Sequence, residues 1–101
     1  MRAIEQNETL IKGQWTMQDG RLIADANCTR IEYLIRHHLK EIKKDPTGWD
    51  TLYVDPDDGR LWELTYPASQ LHGAGPPQLT FITLDQATRK YGDITPFTHL
   101  E

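Results

Sequence analysis

The stretch from Arg60 to Pro77 limits the fold more than any other part of the chain. Arg60, Trp62, Leu64 and Tyr66 alternate with Leu61, Glu63 and Thr65, and a period of two rich in aromatic residues predicts a strand with a buried face. Pro67 ends it, because a proline cannot donate to a ladder. Gly73, Gly75, Pro76 and Pro77 follow without periodic apolar residues and predict a loop.

The other elements are arranged around this strand. Residues 1–8 show no pattern and read as loose or as a short edge addition. From Thr9, alternation carries a strand to Met17. Asp19-Gly20 is a strong hairpin turn, and Arg21 to Ala24 return as a second strand. Gly13 inside the first strand marks a bulge, a place where an aromatic lies across it, or simply a strand weakened by a glycine. Asp25 or Asn27 can cap a helix in which Cys28, Ile31, Leu34, Ile35, Leu39 and Ile42 recur mostly at steps of three and four. That spacing predicts one long amphipathic helix of about four to five turns. Lys43 and Lys44 would sit in its last turn, where positive charge suits the macrodipole, and Asp45-Pro46-Thr47-Gly48 would stop it.

Trp49 to Val54 read as a third strand, and Asp55-Pro56-Asp57-Asp58-Gly59 as the turn into the Arg60–Tyr66 strand. Leu79, Phe81 and Thr83 alternate as a fifth strand. Thr83 with Gln86 forms a capping box for a short helix that ends at Gly92. The expected order is ββαβββα: a two-layer α+β domain, with an antiparallel sheet of about five strands packed on one long helix. Residues 1–99 form a single domain, and Leu100-Glu101 reads as a dipeptide added in cloning. Trp15, Trp49, Trp62, Tyr53 and Tyr66 are too many aromatics for a one-layer core. The excess should pack under the glycine-proline loop or form an exposed recognition patch.

Composition narrows the function. A formal charge of −4 argues against binding a phosphate backbone and favours a basic partner. Cys28 is the only cysteine, so no internal disulfide is available, which fits a reducing cytoplasm. No apolar run is long enough to span a bilayer, so no membrane partner is expected. His37 and His38 are adjacent on the predicted helix and point about 100° apart, and no second donor stands at zinc spacing, so no metal is expected. The Asp55–Gly59 turn lacks the bidentate glutamate of a calcium loop. Gly73-Ala74-Gly75 is followed by Pro76-Pro77 instead of a phosphate-binding lysine, and no cofactor is expected.

The run Gly48-Trp49, Leu52-Tyr53, Asp55-Pro56, Asp58-Gly59-Arg60, Trp62 to Pro67, Leu71-His72-Gly73 and Gly75-Pro76-Pro77 resembles the immunity protein 27 family of bacteria. Gly13-Gln14-Trp15 and the terminal Ala87 to Gly92 extend the resemblance, whereas Ala74 interrupts the consecutive glycines usual in that family's loop. The resemblance implies a non-enzymatic protein that neutralises a cognate toxin of a polymorphic toxin system by direct contact, as a monomer when free. The expected toxin-binding surface comprises Asp55, Asp57 and Asp58 of the acidic turn and His72, Gly73 and Gly75 of the loop. The competing reading is a small enzyme or ligand-binding domain that uses His72 and Ser69. It lacks a nucleophile elbow or an orienting acid nearby.

Overall fold

In the computed structural model, residues 4–67 and 75–94 are described. Strands β1 (Leu10–Lys12), β2 (Trp15–Gln18) and β3 (Arg21–Ala24) lead into helix α1 (Ala26–His37). Strands β4 (Lys40–Lys44), β5 (Thr51–Val54), β6 (Leu61–Thr65) and β7 (Gln78–Ile82) then precede helix α2 (Leu84–Tyr91). Five strands form one antiparallel sheet in the order β1-β7-β6-β5-β4, and β2 and β3 form a separate two-stranded ribbon.

The antiparallel five-stranded sheet agrees with the sequence reading, but the long helix and the element order do not. Helix α1 ends at His37, and Leu39 and Ile42, which continue the helical spacing, belong instead to the approach to β4 and to β4 itself. The amides of His38 and Leu39 both reach Leu34 O, at 3.0 and 2.7 Å. Lys40 then pairs with Val54, and the register shifts between Glu41 and Lys43. No breaker precedes Asp45-Pro46, so local sequence permits the helix to run on. Pairing with β5 and burial of Leu39 in the core end it. Asp45-Pro46-Thr47-Gly48 accordingly turns a hairpin between β4 and β5, closed by Asp45 N to Asp50 O at 2.9 Å. Lys43 and Lys44 lie in β4 and not in the last turn of a helix; the Lys43 ammonium instead donates to Tyr91 O, at the C-terminal end of α2, at 2.7 Å.

The first predicted strand also divides. Ile11 pairs opposite Leu79 at the edge of the main sheet, whereas Trp15 pairs with Ala24 in the ribbon. Gly13 stands at the break. Its amide donates to Pro77 O at 2.9 Å, and a Cβ there would lie 2.7 Å from both that carbonyl and Cys28 Sγ. The ribbon turns at Asp19 and Gly20, whose φ values of 53° and 77° are the pair of left-handed conformations that a tight two-residue hairpin needs.

The sheet is covered on both faces, where the sequence reading allowed for only partial cover of the second. Alternation along β5 and β6 sends Tyr53, Trp62 and Leu64 towards Ile31 and Leu34 of α1, and Leu52, Val54 and Leu61 towards Ala87 and Tyr91 of α2. The domain is thus helix, sheet, helix. Thr83 forms the predicted capping box with Gln86. Lys90 fastens α2 to the sheet through Asp50 and Glu63, at 2.7 and 2.6 Å. Tyr91 donates to Glu63 at 2.8 Å, and burial together with that carboxylate pushes its phenol well above the ordinary range.

The segment before β1 is tied down from residue 4. Ile4 packs against the α1-side core. Arg30 is buried and holds Glu8 through two bonds of 2.7 and 2.8 Å. Arg60 donates to the carbonyls of Glu8 and Glu5 at 2.7 and 2.9 Å.

Gly13→Ala should destabilise the domain by about 1–3 kcal/mol, because the new methyl meets a backbone carbonyl that cannot rotate away. Urea denaturation with a midpoint equal to wild type would show that β1 and the Pro77 segment are not closely packed there.

Candidate functional site

The Asp55–Gly59 turn joins β5 to β6. Asp55 N donates to Arg60 O at 2.9 Å and Gly59 N to Asp55 O at 2.8 Å. Its three carboxylates have different surroundings. Asp55 is 1% exposed. Its Oδ1 accepts the Asp57 amide at 2.9 Å and lies 3.0 Å from His38 Nε2. Its Oδ2 is buried with no hydrogen-bond partner among the described residues. Asp57 is 67% exposed at its side chain, and its Oδ2 is 3.4 Å from the same His38 nitrogen.

Asp58 faces Arg60, accepting the backbone amide at 3.0 Å and the guanidinium at 2.7 Å. Burial alone would raise its carboxyl, but the bonds from Arg60 outweigh it and hold the group below the usual carboxylate range. The Arg60 guanidinium also lies 5.1 Å over the Trp62 ring, so the turn is anchored to the core through the partner of Asp58. Of the three acids, Asp57 alone presents most of its side chain to solvent, while Asp55 works from beneath.

The second half of the expected surface is described only at Gly75. His72 and Gly73, with Ser69 of the competing reading, fall outside the described residues. Gly75 is described and buried. The acidic turn and Pro67, where the glycine-proline loop departs, lie at opposite ends of the five-residue strand β6, roughly 16 Å apart.

The apolar surface gathers at the loop end. Trp49 is 56% exposed and meets Tyr66 edge-on, with ring centroids 6.2 Å apart. Both line a groove of about 360 Å³ with Ile35, Tyr53 and Leu64. Ile35, Leu64 and Tyr66 also line a neighbouring groove of about 240 Å³ with Trp15, Ala24 and Pro77. Met17 and Leu22, 70% and 59% exposed, pair across the ribbon on the same pleat face as Trp15 and Ala24. The five aromatics are therefore shared out: Trp62 and Tyr53 are core, Trp15 and Tyr66 are half-buried, and Trp49 is open.

Two features escaped the sequence reading. His38 meets Asp55 across 17 positions only because α1 stops one residue earlier, and nothing in the local pattern signals that. The exposed ribbon did leave a signal: Met17 and Leu22 fall on one face and Ile23 on the other, more apolar side chains than a hairpin outside the main core can bury.

The structure thus defines a three-layer α+β domain with a five-stranded antiparallel sheet between two helices. The family model described as Immunity protein 27 matches residues 17–83, well over half of the chain, and the chain belongs to that family. The matched segment runs from the ribbon to the cap of α2, leaving β1, the Gly13–Trp15 stretch and Ala87–Gly92 outside it. Searches of the curated proteins and of the solved structures returned no match.

Asp58→Asn should lower stability near neutral pH by removing the charge that Arg60 faces. Because the folded value of Asp58 is depressed, its contribution is present above the ordinary carboxylate value of about 3.9 and is lost as pH falls through the folded value. Thermal denaturation of the two proteins should therefore converge in acid; a gap that stays constant with pH would rule out the ion pair as its source.

Proposed function

We propose that this chain is the immunity partner of a bacterial toxin from a polymorphic toxin system, and that it binds and neutralises that toxin directly in the cytoplasm of the producing cell, without a reaction of its own. Membership of the immunity protein 27 family carries the reading. An inhibitor of this kind needs a complementary surface and no catalytic set.

The contact surface is assigned in two parts. The exposed residues Trp49, Met17 and Leu22, with half-buried Tyr66, supply the burial that slows release, since buried aromatic anchors dominate most interfaces. Asp57, with Asp58 and the chain's net charge of −4, steers a basic toxin and raises the association rate. The loop carrying His72, Gly73 and Gly75 belongs to the same proposal. Asp55 supports the turn from below and makes no contact itself.

Coexpression with the toxin encoded beside this gene should rescue growth, and the complex should co-elute with a dissociation constant of about 1 nM or tighter. Trp49→Ala should weaken it at least about tenfold, mainly through faster dissociation. Asp57→Asn should slow association and flatten its dependence on salt. Absence of both rescue and complex would sink the reading.

A further inference from the structure

We propose that His38, Asp55 and Asp57 form a binding site for a divalent transition metal of the zinc type, with one imidazole and two carboxylate donors. The three donor atoms come from two elements, the end of α1 and the β5–β6 turn, and lie within 4.8 Å of one another. His38 Nε2 stands 3.0 Å from Asp55 Oδ1 and 3.4 Å from Asp57 Oδ2. Donors held about 2.0–2.2 Å from one ion, at the angles of tetrahedral or octahedral coordination, are themselves about 2.8–3.6 Å apart. Both separations from His38 fall within that range, and the two carboxylate oxygens lie within 4.8 Å of each other.

An ordinary hydrogen bond leaves this cluster unbalanced. One imidazole nitrogen faces two carboxylates, and the deeper acid, 99% removed from solvent, keeps Oδ2 without a donor among the described residues. Buried carboxylates are paired, fully hydrogen-bonded or bound to metal. A dication would supply the missing charge. The Asp57 amide, 2.9 Å from Asp55 Oδ1, then acts as the outer-shell donor that fixes the orientation of a ligating carboxylate.

The mixed donor set indicates the metal class. An imidazole nitrogen favours zinc and its first-row neighbours over calcium and magnesium, which take oxygen ligands. Three protein donors leave a fourth position open on the exposed Asp57 side. A bound ion would link the end of α1 to the β5–β6 turn and offset the charge of Asp57. The inference does not depend on the immunity reading and needs no toxin to test.

The test is calorimetric titration of zinc, and separately calcium, into tag-free protein stripped with chelator, with thermal denaturation in parallel. Wild type should bind one zinc per chain, gain thermal stability from it, and show no comparable calcium binding. Asp57→Ala, at an exposed position that leaves the fold intact, should lose at least tenfold in zinc affinity together with the stabilisation, and His38→Gln should do the same. The absence of saturable one-to-one binding, zinc binding by Asp57→Ala equal to wild type, or a preference for calcium would each overturn the proposal.

Discussion

The domain depends on what the two faces of β6 do. Trp62 and Leu64 enter one core and Leu61 enters the other, while Glu63 receives both Lys90 and Tyr91 from α2. Its ladder partners, β5 and β7, lie on either side of it, so both hairpins are in register with one central strand. A slip of one residue would send Trp62 towards α2 and Leu61 towards α1, emptying and overfilling the two cores at once. Nearly every other packing feature follows from that alternation. The burial of four consecutive residues in β5 is the same two-sided cover on the neighbouring strand.

Long-range polar contacts secure what the cores do not. Arg30 and Arg60, distant in sequence, converge on the segment ahead of β1, and Arg60 also satisfies Asp58 while lying over Trp62. His38 and Asp55 join the end of α1 to the β5–β6 turn. These contacts involve buried or half-buried groups, where removing one partner leaves the other desolvated and unpaired. They specify where segments meet more than they add to stability.

The surface divides along the same axis. One end of β6 carries the acidic turn, in which Asp57 alone keeps most of its side chain in solvent. The other carries the open aromatic groove beside the ribbon. A protein that recognises its partner by shape and burial has reason to keep apolar side chains exposed at one place, and the ribbon with Met17 and Leu22 stands outside both cores. Family membership comes from the pattern of residues, whereas this distribution of surface comes from the geometry, and the functional reading uses both.

The sequence by itself determined the elements whose signals are local. Asp19-Gly20 set a hairpin because both residues accept left-handed backbone. Thr83 and Gln86 set the start of α2 because the box closes within one turn. The alternation in β6 set its buried face, and the residue pattern over most of the chain set its family. Tertiary structure decided where local signals were neutral or in competition. Leu39 and Ile42 satisfy helical spacing, yet pairing with β5 and burial of Leu39 made that segment a strand. Gly13 could weaken a strand or break one, and the approach of Pro77 and Cys28 chose the break. His38, Asp55 and Asp57 came together only because α1 stopped where it did. Capping and turn preferences act over three or four residues and can be read in order, whereas pairing and burial act between residues that only the folded chain makes neighbours.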